Sequence, residues 1–361
     1  MKYKTLDDFD FKGKRVLLRS DLNSEVDNGK IILGERIRES ARTIKELKNK
    51  GASVVILAHQ GRRGDKDFLS LEQHAKLLNR YVKVKYVADV VGERAISEIK
   101  KLKDGGVLLL DNVRSLNEEM NPSDNNLIVK KLKGLFDIYI NDAFSVSHRA
   151  QTSIISFPRF LDSGIGRVMQ RELESLEKIK IHDCLFLLGG TKVEDEIVLL
   201  KKGNVCTSGV LAHVCLWAKG YCAGIDNKGL KDYTKYSKEV RKFIKNGVLT
   251  PVDLALKDEG KRKEVLVENF PSNEKSYDIG KETVKIYKEK IRKARAIFIK
   301  GTMGVCEEEQ FCYGTKELLK AVVKSKAFSV VGGGHITYAM EKIKINKNRF
   351  DYISLSGGAL I

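Results

Sequence analysis

The feature that most constrains this chain is an alternation sustained almost from end to end, in which short apolar runs of strand character are each followed by a stretch with helical spacing. Runs at 15–18, 53–58, 82–87, 107–110 and 137–140 in the first half have counterparts at 184–188, 204–207, 247–250, 296–300 and 328–331 in the second. A strand that is apolar throughout is one buried on both faces, and parallel sheets covered by helices are where such strands occur. Repeated strand-helix-strand units therefore predict an α/β protein built from doubly wound parallel sheets. Ile37, Ile44 and Leu47 keep helical spacing over 37–50, and Val168, Leu173, Leu176 and Ile179 form a second stripe over 166–179. With 361 residues, two domains of ordinary size are expected. We place them at 1–165 and 181–361, joined by a helix over 166–180, with a cleft between them.

Apolar residues make up 42% of the chain and only four prolines occur, which excludes a disordered or fibrous protein. The N-terminus has no apolar core of signal-peptide length and no later run approaches a membrane span, so a cytosolic setting without a membrane partner is expected. Six cysteines, all in the second half and without a C-x-x-C pair, read as reduced and mostly packed thiols. His213, Cys215 and Cys222 do not read as a metal site, because residues two apart on a helix diverge. The net charge of +18 suggests an anionic partner or simply a basic host cytosol. Acidic residues are interspersed among the basic ones, as Glu282 and Glu289 are among Lys285, Lys288 and Lys290, which argues against nucleic acid.

Ligands of open parallel sheets collect beyond the carboxyl ends of strands. In the first half those ends carry Arg19-Ser20-Asp21-Leu22-Asn23, His59-Gln60-Gly61-Arg62, Asp111-Asn112-Val113-Arg114 and Asn141-Asp142-Ala143-Phe144, the last followed by His148-Arg149. Arg36, Arg62, Arg114 and Arg149 converging from separate loops would repel one another unless a multiply charged anion lay among them, and a small phosphorylated carboxylate fits. His59 and His148 can add hydrogen bonds to the same oxygens. In the second half the ends carry glycine: Gly189-Gly190, Ser208-Gly209, Gly301-Thr302-Met303-Gly304 and Gly332-Gly333-Gly334. Such ends are expected to admit something wide and flat, a purine nucleotide whose phosphates rest on helix N-termini and Lys192, with Glu307 available to ribose hydroxyls.

These motifs resemble phosphoglycerate kinase, its archaeal branch above all, from Lys14 to Leu360. The resemblance implies reversible transfer of the acyl phosphate of 1,3-bisphosphoglycerate to magnesium-bound ADP by a monomer whose cleft closes by hinge bending. It places 3-phosphoglycerate on the first domain, against Asp21, Asn23, Arg36, His59, Arg62, Arg114, His148 and Arg149, and the nucleotide on the second, against Gly189, Gly190, Lys192, Glu307, Gly332, Gly333, Gly334 and His335. Arg36 and Lys192 would contact the phosphoryl group in flight.

The sequence departs from the family pattern mainly in the nucleotide half. Glu196 stands where many members carry a second lysine, and as an i, i+4 neighbour on a helix it could pair with Lys192. Lys300 replaces an asparagine, Thr302 and Lys281 replace prolines, and His335 replaces an aspartate. The terminal glycine turn reads Leu355-Ser356-Gly357-Gly358, and the sequence stops at Ile361 where relatives continue. The paired sign changes suggest that Lys300 restores the positive field lost at Glu196. The same departures leave open a second reading, a catalytically impaired paralogue that binds an anionic metabolite.

Overall fold

In a computed structural model, residues 3–179, 184–244 and 247–354 are described. The chain divides into two compact units, Met1–Glu174 and Ser175–Ile361. Among the described residues no helix is long and apolar enough to cross a membrane.

The first unit runs β1 (Arg15–Ser20), a small hairpin of β2 (Val26–Asp27) and β3 (Lys30–Ile31), α1 (Glu35–Asn49), β4 (Ser53–Leu57), α2 (Glu72–Leu78), β5 (Lys85–Val87), α3 (Glu93–Lys101) and β6 (Val107–Leu110). It continues with α4 (Leu127–Leu132), β7 (Ile138–Asp142), α5 (Thr152–Ile155) and β8 (Asp162–Ile165). Six strands form one sheet in the order β5-β6-β4-β1-β7-β8, with every pairing parallel. Successive side chains alternate between its faces, and both faces are apolar. Val16, Leu18, Ile56 and Ile140 pack into one core layer, while Leu17, Val55, Leu57 and Tyr139 pack into the other. That is why these strands read as unbroken hydrophobic runs.

The second unit begins within α6 (Arg167–Lys178) and continues with β9 (Cys184–Leu188), α7 (Glu194–Leu200), β10 (Val205–Thr207), α8 (Gly209–Ala218), α9 (Ser237–Val240) and β11 (Val248–Leu249). Then come β12 (Asp253–Asp258), β13 (Lys261–Leu266), β14 (Asp278–Ile279), α10 (Lys281–Lys293), β15 (Ala296–Lys300), α11 (Tyr313–Lys324), β16 (Phe328–Gly332), α12 (Gly334–Lys342) and β17 (Tyr352–Ser354). The parallel sheet here is ordered β11-β10-β9-β15-β16-β17. Numbered along the chain, that is the 3-2-1-4-5-6 order of nucleotide-binding sheets, in which strand order reverses between β9 and β15. Leu185 and Leu187 pack to one side and Phe186 and Leu188 to the other.

A three-stranded antiparallel sheet, β13-β12-β14, was not legible beforehand. Lys261-Arg262-Lys263-Glu264 presents charge on both faces of its strand, so hydropathy gives no strand signal there. The turn is the better clue. Glu259 and Gly260 take φ of 46° and 79°, the paired left-handed conformations of a two-residue hairpin turn, and Asp258 pairs with Lys261 across it.

The helix expected over 166–180 is α6, and it straddles the boundary between the units. Asp142, the last residue of β7, caps it: Oδ1 accepts the backbone N–H groups of Val168 (2.8 Å) and Met169 (3.1 Å). Arg167 then binds Glu46 of α1 through Nε (2.9 Å) and Nη2 (2.6 Å), and Asp7 through Nη1 (2.8 Å) and Nη2 (2.6 Å). The first turns of α6 are thereby fixed to the first unit.

The cysteine expectation needs correction. Cys306 and Cys312 form a disulfide, with Cα atoms 4.3 Å apart, because a 3-10 turn over Glu309–Phe311 folds the loop back on itself. Cys184, Cys206 and Cys215 are buried free thiols, and Cys222 is exposed.

His213 of α8 is a satisfied core histidine. Its Nδ1 lies 3.0 Å from the carbonyl of Ala223 and must donate, while Nε2 accepts from the Ser276 hydroxyl at 2.8 Å. Both nitrogens are used by the neutral ring, and burial holds its pKa down to about 4. Unfolded, the ring titrates near 6.5, so between these values the unfolded state takes up a proton that the folded state refuses. Stability is therefore lost as pH falls through this window. His213→Gln should lose about 2 kcal/mol less than the parent between pH 7 and pH 4.5 in urea unfolding at the two pH values.

Candidate functional site

In the first unit strand order reverses between β1 and β7, and the loops beyond those strands carry the basic cluster. Asp21 is buried just past β1, where Oδ2 accepts from the Ser145 hydroxyl at 2.6 Å and lies 3.5 Å from Nε of Arg36. Arg36 sits in the first turn of α1 and donates from Nη1 to the Asn23 carbonyl at 2.7 Å. Asn23 in turn accepts the Gly61 N–H at 2.8 Å through Oδ1. Gly61 has φ of 66°, and a Cβ there would stand 2.4 Å from the Asp67 carbonyl, so only glycine fits. Its carbonyl accepts from Nη1 of buried Arg114 at 2.6 Å. Asp21, Asn23, Arg36, Gly61 and Arg114, from three separate loops, thus form one continuous polar network.

His59 lies at the centre of the positive charge. Burial first, then the charges of Arg19, Arg114, Arg36 and Arg149, push its pKa well below the usual histidine range. It is neutral at physiological pH, and its tautomer follows from chemistry. Arg19 can only donate, so Nδ1, 3.0 Å from Nη2 of Arg19, must accept, and the ring proton sits on Nε2 as a hydrogen-bond donor. Burial, together with Arg19 and Arg149, also lowers Arg114 to about 10, with Arg62 acting in the same direction. Of the four arginines singled out from the sequence, Arg36, Arg114 and Arg149 therefore act on His59 and Arg62 acts on Arg114, joined by Arg19. Arg62 is exposed, Arg149 is half-buried, and His148 is exposed with Nε2 3.3 Å from Nε of Arg149.

Arg19 is the residue that sequence reading underrated. It is fully buried, donating from Nε to the Ser153 hydroxyl (2.7 Å) and from Nη1 to the Ser20 carbonyl (2.6 Å). The Ser153 hydroxyl in turn donates a hydrogen bond to buried Glu119 at 2.7 Å, and Glu119 also accepts the Ser153 N–H. Four guanidinium groups act on His59 and a fifth, Arg62, acts on Arg114; against them stand the carboxyls of Asp21 and Glu119, so guanidinium outnumbers these two partners around the site. The only forewarning was an arginine ending an otherwise apolar strand.

In the second unit Gly189-Gly190, Ser208-Gly209, Gly301 and Gly332-Gly333-Gly334 all fall at the carboxyl ends of parallel strands in one sheet. The explanation of these glycines divides. A Cβ on Gly301 would stand 1.9 Å from the Gly189 carbonyl, one on Gly189 2.3 Å from the Thr302 carbonyl, and one on Gly209 2.6 Å from the Gly190 carbonyl. Those three glycines let neighbouring loops touch backbone to backbone, so they do not hold space for a ligand. Gly333 and Gly334, at the start of α12, face open space, and Gly190 has only the Gly301 Cα, 3.7 Å away.

Lys192 is exposed and precedes α7, and Glu196 is buried inside that helix. The expected i, i+4 relation therefore has no helical frame, and Glu196 does not stand on the surface beside Lys192. Lys300 is buried at the end of β15, in register with Leu188 on one side and Gly332 on the other. Glu307 and His335 are exposed, and Leu355-Ser356-Gly357-Gly358 lies outside the described residues. Among the described residues no group of three or more His, Cys, Asp or Glu is placed to hold a metal ion.

Comparison with known proteins agrees with this geometry. The family model for phosphoglycerate kinase matches residues 6–361. The phosphoglycerate kinase of Methanothermus fervidus is 43% identical, with 100% of this chain and 93% of the relative covered, and that of Saccharolobus solfataricus is 42% identical over 99% and 93%. Among solved structures, phosphoglycerate kinase from Pyrococcus horikoshii superposes with a TM-score of 0.88 at 36% identity, covering 98% of this chain and 94% of that one. The enzyme from Coxiella burnetii gives 0.81 at 30%, covering 99% and 95%. The fold, the match along nearly the whole length and these identities together show that the chain belongs to the phosphoglycerate kinase family, the phosphotransferases that act on 3-phosphoglycerate.

Proposed function

We propose that the first unit binds 3-phosphoglycerate and 1,3-bisphosphoglycerate, that the second binds ADP and ATP, and that the residues described above divide the work of phosphoryl transfer between them. The observation that carries this reading is the convergence of Arg19, Arg36, Arg114 and Arg149 on neutral His59, with Arg62 acting on Arg114. 3-Phosphoglycerate carries about three negative charges near neutral pH, two on the phosphate and one on the carboxylate. Arg62, Arg114 and Arg149 would hold the stable phosphate, with Nε2–H of His59 as a neutral donor. Asp21 and Asn23 would orient the glycerate hydroxyl and carboxyl.

The phosphoryl group in flight needs neither a general base nor a covalent protein intermediate, since the attacking atom is already an anionic oxygen. What lowers the barrier is fixed positive charge along the path. Arg36 would supply it from the first unit and Lys192 from the second. Arg36 suits the task because Asp21 and the Asn23 carbonyl hold its guanidinium before substrate arrives.

On the nucleotide side, Gly190, Gly333 and Gly334 leave room for phosphates and sugar, with His335 at the start of α12, while Gly189 and Gly332 shape the strand ends. Glu307 would accept from the ribose hydroxyls. Magnesium would enter as part of the nucleotide substrate, carried by its phosphates. The family likeness supports a cytosolic monomer acting in glycolysis.

A coupled assay with 1,3-bisphosphoglycerate and Mg-ADP tests the assignments. Arg36→Ala should lower kcat by at least about a hundredfold, whereas alanine at exposed Lys14 should change it by less than about twofold. Equal effects would remove Arg36 from the reaction. Lys300→Asn should weaken ADP binding in calorimetry by about tenfold if its buried charge supports the phosphate seat; unchanged affinity would end that role.

A further inference from the structure

The Cys306–Cys312 disulfide lies in the loop after β15, one residue before Glu307, and no part of the phosphotransfer reading uses it. The loop is fixed at both shoulders. At its start the Met303 N–H reaches the Thr315 hydroxyl at 2.9 Å and the Val305 N–H reaches the Tyr277 carbonyl at 2.8 Å. At its end the Gln310 carbonyl accepts from Nη1 of Arg262 at 3.0 Å. Between these anchors the backbone carbonyl of Glu307 accepts from Nζ of Lys342 in α12 at 2.6 Å, and Glu308 pairs with Lys257 at 2.8 Å. Both sulfur-bearing residues are almost fully buried and pack with Ala339 and Ile343, the former in α12 and the latter just beyond it. The disulfide therefore ties together the loop that presents Glu307 and packs on the helix whose first turn carries Gly334 and His335.

We propose that Cys306–Cys312 is a redox-controlled clamp on the nucleotide half-site: oxidised, it holds Glu307 and the start of α12 in their binding arrangement, and reduced, it releases them. The proposal rests on the reading of Glu307 and α12 as nucleotide ligands. The reductant is a dithiol. One of its thiolates attacks a cysteine sulfur to give a mixed disulfide and free the partner cysteine. Its second thiol then displaces the first cysteine and closes the reagent's own disulfide. Two electrons and two protons pass to Cys306 and Cys312, which become thiols. Because both residues are buried, reduction requires the loop to open first, so the clamp responds slowly and bound nucleotide protects it.

The test uses the full chain purified without reductant. Titration of thiols in denaturant should find four before and six after dithiol treatment, the four being Cys184, Cys206, Cys215 and Cys222. Calorimetry should show Mg-ADP binding about three- to tenfold weaker after reduction, through lost preorganisation, with 3-phosphoglycerate affinity unchanged. The double variant Cys306→Ala/Cys312→Ala should match the reduced protein and ignore the dithiol. Six thiols before reduction, or equal Mg-ADP affinity in both forms, overturns the clamp while leaving the nucleotide site intact. No Mg-ADP binding in either form would overturn the nucleotide reading and the clamp with it.

Discussion

The mutual repulsion of five arginines is the constraint on which the substrate half depends. Arg19, Arg36, Arg62, Arg114 and Arg149 come from separate parts of the chain, yet the fold holds four of them within reach of one neutral histidine and Arg62 within reach of Arg114. Three of these guanidiniums are oriented by oxygen atoms of the framework. Arg19 has Ser153 and the Ser20 carbonyl, Arg36 has Asp21 and the Asn23 carbonyl, and Arg114 has the Gly61 carbonyl. Backbone carbonyls and the Ser153 hydroxyl fix direction without cancelling charge, and Asp21 and Glu119 offset only part of it, so the cluster keeps its electrostatic demand for an anion while its geometry is already set.

That arrangement also explains why His59 is a histidine that does not titrate in the physiological range. Burial disfavours the charged ring first, and a proton among four guanidiniums would add to the repulsion. Arg19 determines the tautomer by occupying Nδ1, which leaves Nε2–H as the group offered to a ligand. The buried Arg19–Ser153–Glu119 chain lies behind the site as its support.

The parallel sheets were legible because strands such as Leu17-Leu18 and Phe186-Leu187 bury both faces and so carry uninterrupted hydrophobicity. Arg62, Arg114 and Arg149 are legible as neighbours because each follows the end of a parallel strand and such ends share an edge, while Arg36 reaches the same place from the first turn of α1. Arg19 is not, because its importance comes from burial and from Ser153 and Glu119, a hundred residues or more away along the chain. The β12–β14 sheet was hidden by charged residues on both faces of β13. The disulfide was hidden because six residues of spacing say nothing of a loop that turns back. The glycine-rich strand ends are legible in the sequence, but what each glycine does is not: Gly189, Gly209 and Gly301 serve backbone contact, and Gly190, Gly333 and Gly334 leave space.

If the surplus positive charge exists to meet a ligand with negative charge at both ends, removing one end should be costly. Calorimetric titration with 3-phosphoglycerate and with glycerate, which keeps the carboxylate and lacks the phosphate, measures this directly. The account predicts that glycerate binds at least about a hundredfold more weakly, and that the difference shrinks as salt is raised. Equal affinity for the two ligands would contradict it, because the arginines would then be recognising something other than the phosphate.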